Sequence, residues 1–67
     1  MDYCVNKNTQ DNGDHEVHEM TCPELPDEAN QLALGTFSNC EDAVEAAKRI
    51  YPQSNGCKIC SKPCHTT

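Results

Sequence analysis

Cys57-Lys58-Ile59-Cys60 sets two thiols three residues apart, a spacing at which one tight turn brings both sulfurs to the edge of a tetrahedron around a single metal ion. Gly56, just before Cys57, permits a sharp entry into that turn. The same spacing serves thiol–disulfide exchange when it opens a helix that follows a strand, but Pro63 comes too soon for such a helix. The metal reading needs a second pair of ligands, and His18-Glu19-Met20-Thr21-Cys22 supplies an imidazole and a thiol four residues apart. One neutral imidazole and three thiolates, His18, Cys22, Cys57 and Cys60, make a donor set for tetrahedral Zn²⁺ that would tie the first half of the chain to its end. Such a site can contribute on the order of 10 kcal/mol to folding.

Two other patterns compete for the same residues. Cys57, Cys60, Cys64 and His65 form a purely local set, but metal held by nine consecutive residues would leave the first half untethered. His15-Glu16-Val17-His18 superficially suggests a zinc protease, which needs its two histidines four apart on a helix; here they are three apart in an extended segment, and His15 is read as a surface histidine or one supporting the site. That leaves Cys4, Cys40 and Cys64, an odd number. The steps from Cys57 to Cys64 span up to ~23 Å when extended, more than the ~20 Å of a thirteen-residue helix, so Cys64 can return to Cys40. A Cys40–Cys64 disulfide under oxidising conditions is one expectation, requiring α-carbons ~4.4–6.8 Å apart. The other is an inert core thiol at Cys40 and a mobile Cys64. Cys4 stays unpaired in both.

These ligands need elements to position them. Tyr3 to Val5 and His15 to His18 read as two strands separated by a polar loop with the turn pair Asn12-Gly13. In the second strand His15 and Val17 share one face, Glu16 and His18 the other. Cys22 to Pro26, with two prolines, is an irregular link, and Gln31 to Phe37 is a further strand with Leu32 and Leu34 on one side. A helix is predicted from about Asn39 to Tyr51. Ser38 and Glu41 form a capping box, acidic residues sit at its start and Lys48 and Arg49 at its end. Cys40, Ala43, Val44, Ala47, Ile50 and Tyr51 make one apolar stripe, and Pro52 stops it. Ser54-Asn55-Gly56 reads as a turn delivering Cys57.

Composition explains why a staple is needed. The chain has 67 residues, nine of them Leu, Ile, Val or Phe (about 13%), with no Trp; charged sequences below roughly 20% in these residues are expected to be disordered. Six cysteines are the counterweight. The length fits one domain over residues 1–67 and excludes most deep-pocketed enzymes. No stretch approaches the ~20 apolar residues of a membrane span. The start Met1-Asp2-Tyr3-Cys4 lacks the pattern of a secretory leader, so the expected compartment is the cytoplasm, where thiols stay reduced and cysteines read first as ligands. A removed leader would reverse that order. Eleven acidic against five basic residues, net −6, oppose binding to nucleic acid or anionic membranes.

The order of these features resembles the small metal-binding domain of the Ada-type DNA methyl-phosphotriester repair proteins. His18 and Cys22 fall on that family's first ligand pair, Phe37-Ser38 with Glu41 and Ala43 on its strand-to-helix corner, and Cys57 with Cys60 on its last pair. The resemblance covers His18 to Cys60 and implies a zinc-holding fold. In that family the first ligand is a cysteine that accepts the methyl group; His18 stands there in this chain, and imidazole cannot take that role. Over nearly the whole length the chain also resembles a group of short uncharacterised bacterial proteins, through Asn12-Gly13-Asp14-His15-Glu16-Val17-His18, Leu34-Gly35-Thr36-Phe37 and Asn55-Gly56-Cys57; that group implies no function.

The sequence therefore predicts a single α+β domain: a small antiparallel sheet, one helix and a zinc site. The expected role is a non-catalytic zinc-stabilised module that binds a protein, with no affinity for nucleic acid or membrane. The alternatives are an Ada-like reactive thiol centre, as alkyl acceptor or metal sensor, and a secreted disulfide-stapled peptide.

Overall fold

The computed structural model describes residues 1–66. Its elements in chain order are β1 (Asp2–Asn6), β2 (His15–Glu19), a 3-10 turn (Glu28–Asn30), β3 (Gln31–Thr36), α1 (Cys40–Lys48), β4 (Ser54–Gly56) and a second 3-10 turn (Lys62–Cys64). The fold is α+β, with one helix on a four-stranded sheet of order β3-β1-β2-β4. β1 pairs antiparallel with both neighbours. The sheet is nevertheless mixed, because β4 runs parallel to β2, with Ser54, Asn55 and Gly56 opposite His15, Glu16 and Val17.

That fourth strand corrects the expected turn at Ser54-Asn55-Gly56. Turn-forming residues build a strand here because their polar groups are satisfied in place. Ser54 Oγ donates to the Tyr51 carbonyl at 2.6 Å, the buried Asn55 amide donates to Asp14 Oδ2 at 3.3 Å, and its Oδ1 accepts from the Gly56 and Thr66 N–H groups at 2.9 and 3.2 Å. Gly56 is required by close approach rather than by a sharp turn: a Cβ there would lie 2.6 Å from Cys64 Cβ and 2.8 Å from the Ser61 carbonyl oxygen.

The alternation of β1 and β2 divides the sheet into two buried faces. On one, Tyr3, Val5 and Val17 pack against Cys40, Ala43, Val44 and Ala47 of α1, with Leu32, Leu34, Phe37, Tyr51 and Cys64 at the margin. Leu32 and Leu34, two residues apart on β3, both face this core. A bulge then shifts the β1–β3 register, pairing Tyr3 with Gly35 but Cys4 with Ala33; Gly35 sits there at φ +105°. On the other face Cys4 lies opposite His18, and both are almost wholly buried.

The helix is one residue out of register with its expected cap and shorter than its expected length. Asn39, not Ser38, is the N-cap, and its side chain accepts from the Asp42 N–H at 2.8 Å. Regular helix ends at Lys48; Arg49, Ile50 and Tyr51 close the last turn by bonding to the Ala46 and Ala47 carbonyls. Ile50 is 51% exposed and leaves the stripe.

Candidate metal centre

β2 carries His18 into the face opposite the helix. Its last residues then turn, with the Cys22 N–H bonded to the Glu19 carbonyl at 3.0 Å, which folds Cys22 back toward the strand. From the other end of the chain, β4 extends its ladder by one bond, Cys57 N–H to the Val17 carbonyl at 2.9 Å, and Ser61 N–H closes a turn on the Cys57 carbonyl at 2.9 Å. Two loops from opposite ends of the sequence thus meet beside β2.

They bring together His18, Cys22, Cys57 and Cys60, with one ligand atom from each lying within 4.8 Å of the others. Cys22 Sγ is 3.9 Å from Cys57 Sγ, and Cys60 Sγ is 3.9 Å from His18 Nδ1. Metal–sulfur bonds of about 2.3 Å in a tetrahedron place sulfurs about 3.8 Å apart, so the cluster fits one ion and can hold a metal. Three residues are buried and Cys60 is partly exposed. Each sulfur also faces a backbone donor: Glu19 N–H points to Cys60 at 3.3 Å, Glu24 N–H to Cys22 at 3.4 Å, and Ile59 N–H to Cys57 at 3.4 Å. Donors aimed at sulfur favour the thiolate, the form that binds metal.

Without an ion the same burial favours neutral groups. Desolvation pushes the Cys57 and Cys60 thiols above their ordinary range and pushes His18 below that of a free imidazole, against the opposing fields of Glu16 and Glu24. Cys4 is raised as well, by burial first and then by Cys60 and Cys22. It is free and lies outside the four-residue set.

The remaining residues singled out in the sequence have other places. Cys40 and Cys64 are joined in a disulfide with α-carbons 6.2 Å apart. The local set is thereby broken up: Cys64 is bridged to α1, and His65 Nδ1 donates to the Gly56 carbonyl at 3.1 Å. His15 belongs to the helix side, where its Nδ1 donates to the Asn6 carbonyl at 2.8 Å and its ring stacks on Tyr51, centroids 3.8 Å apart. Sequence reasoning missed Glu16, whose Oε1 lies 3.3 Å from His18 Nε2; the alternation that puts both on one face of β2 was the available signal.

The fold and its ligand cluster define a small α+β domain able to hold a metal ion. No family model matches the chain, nor does any curated protein or solved structure. Among the described residues, no helix is long and apolar enough to cross a membrane.

Proposed function

We propose that the chain is a non-catalytic zinc-stabilised module that acts in the cytoplasm and binds a protein through its surface. The observation that carries this reading is the convergence of His18, Cys22, Cys57 and Cys60 from both ends of the chain, ligand atoms within 4.8 Å. Three sulfurs and one imidazole, a donor set that favours tetrahedral coordination, suit Zn²⁺ among the common biological metals. Four protein ligands also complete its coordination, which is the pattern of a structural site rather than one keeping a position open for substrate. A reducing compartment keeps the three thiols available to the ion. A protein suits the surface better than a polyanion: the net charge is −6, and Met20 and Ile59, 41% and 53% exposed, sit between the ligands of the two loops.

The Ada-type resemblance supports the zinc-holding fold but not the methyl transfer, because His18 occupies the acceptor's position. The Cys40–Cys64 bridge favours a second reading, a secreted disulfide-stapled chain. The two readings part at Cys22, Cys57 and Cys60, which bind metal in the first and are oxidised in the second.

Elemental analysis of the protein purified under reducing conditions should find one zinc per chain, and a strong chelator should abolish its cooperative thermal transition. A transition that the chelator leaves unchanged overturns the proposal. Oxidised sulfurs and no metal, found by mass, favour the secreted peptide. Duplex DNA at physiological salt should show no binding; salt-dependent micromolar affinity would contradict the reading of the surface.

A further inference from the structure

A histidine can bind metal through either ring nitrogen, and which one is free depends on where the neutral ring keeps its proton. The two nitrogens of His18 face different surroundings. Nδ1 lies 3.9 Å from Cys60 Sγ, one of the three sulfurs of the cluster. Nε2 lies 3.3 Å from Glu16 Oε1. The ring is 1% exposed, so little water competes with these neighbours.

Resting on the zinc reading above, we propose that Glu16 is the positioning residue of the metal centre: its carboxylate holds the His18 proton on Nε2, leaving the Nδ1 lone pair for the ion. The argument is electrostatic. An anionic oxygen at 3.3 Å stabilises an N–H pointing toward it and repels a lone pair in the same place, so the tautomer protonated at Nε2 is preferred. The backbone enforces the arrangement. Glu16 and His18 are two residues apart on one strand and share a face, and the Glu16 position is fixed between β1 and the parallel partner Asn55 of β4. Metal binding then strengthens the contact, because a ring that donates electron density to a cation becomes a stronger N–H donor at its other nitrogen.

The test uses the full reduced chain loaded with Zn²⁺. Long-range proton–nitrogen correlation spectra report which ring nitrogen bears the proton, and competition with a chromophoric chelator reports affinity. His18 should show zinc on Nδ1 and a proton on Nε2. Glu16→Ala should weaken zinc binding by roughly 10- to 100-fold, the usual cost of losing such a partner. Glu16→Gln, which keeps an oxygen acceptor and the side-chain volume but not the charge, should fall between, and Glu45→Gln on the exposed side of α1 should match the wild type. Zinc on Nε2, or Glu16→Ala and Glu16→Gln both within twofold of wild type, overturns the role of Glu16 while leaving the zinc module standing. A wild-type chain that takes up no zinc overturns both.

Discussion

The two faces of the sheet are closed by different chemistry. Toward α1, seven buried residues form an apolar core, and a disulfide joins the helix to the C-terminal turn. On the opposite side, among the described residues, no helix covers the sheet, and burial there depends on Cys4, His18 and two loops whose side chains converge in a cluster able to hold a metal ion. The first face is built by side-chain volume and would exist in outline without its bridge. The second has little apolar surface to bury and closes around its ligands. A disulfide persists when thiols are oxidised and a metal–thiolate bond needs them reduced, so with a metal bound the two halves would be stabilised under opposing conditions. The segment joining them is short: only Ser61, Lys62 and Pro63 separate ligand Cys60 from bridged Cys64, and they carry the chain around the β4 edge from one face to the other.

The largest expected effect is loss of a ligand. Cys57→Ser should remove metal binding and with it a contribution on the order of 10 kcal/mol, leaving a chain without a cooperative transition. Its counterpart on the helix face is the double change Cys40→Ala and Cys64→Ala. With the bridged positions 24 apart in sequence, chain-entropy arguments give a loss of about 3.5 kcal/mol. Urea titrations of both variants in the presence of zinc measure the comparison. If the bridge variant is the less stable of the two, the helix face is the one that holds the fold.

Acid should separate the faces further. Each thiol that binds metal gives up a proton, and Cys57 and Cys60 hold theirs more tightly than usual through burial. Zinc affinity should therefore rise with pH, by up to about a thousandfold per unit if all three thiols ionise on binding. His18, pushed downward by burial, adds less to this slope than a free imidazole would. In the metal-free fold the signs are opposite at the two ends. The lowered His18 stabilises only above the ordinary imidazole value of 6.5, and that stability is lost as pH falls; the raised thiols stabilise only below about 9.0, and theirs is lost as pH rises. Competition titrations at several pH values check the slope, and a flat profile would show that the thiols bind no ion.

Gly56 touches both faces and tests their connection. A Cβ at this position meets Cys64 Cβ and the Ser61 carbonyl, and at least one of these contacts is with rigid backbone. Gly56→Ala should cost about 1–3 kcal/mol through overpacking. Because Cys57 is the next residue, zinc affinity should fall with stability, measured by the same chelator competition. Unchanged affinity in a destabilised variant would mean that the C-terminal turn moves without disturbing the ligands.

The legible parts of this fold are those whose signal is local. The amphipathic stripe from Cys40 to Ala47 marks α1, and the alternation of His15 to His18 separates the two faces, because in each the backbone period alone assigns a side. The convergence of His18 and Cys22 with Cys57 and Cys60 could be anticipated from ligand spacing, since each pair is close enough in sequence to meet one ion and together they supply four donors. β4 could not. Ser54, Asn55 and Gly56 have turn-forming propensities, and what makes them a strand is non-local: Asp14 and Thr66 satisfy the buried Asn55, and the Cys64 turn occupies the space a side chain at Gly56 would need. Glu16 was different: strand alternation already set it on the face of His18, but a shared face alone does not say that its carboxylate meets the Nε2 of that ring.

The smallest effect lies at the helix start and is confined to one face. Ser38 and Asn39 both have side chains that can cap, and the capping-box pattern favours Ser38 with Glu41. In the structure the extended backbone of Asn39 aims its Oδ1 at the Asp42 N–H, 2.8 Å away, while Ser38 Oγ accepts from the Asn39 side-chain amide at 3.4 Å. Asn39→Ala should therefore destabilise the fold by about 1 kcal/mol, and Ser38→Ala by a few tenths at most. Cys40, which anchors the bridge, follows the cap directly, so a frayed first turn loosens the attachment of the C-terminal segment to α1. The ligands lie beyond that segment on the other face. Zinc affinity should remain at the wild-type value in Asn39→Ala while its urea midpoint falls, which distinguishes a local loss of helix from a fault transmitted through the sheet. A drop in affinity comparable to that of Gly56→Ala would show that the two faces form one cooperative unit that includes the helix cap.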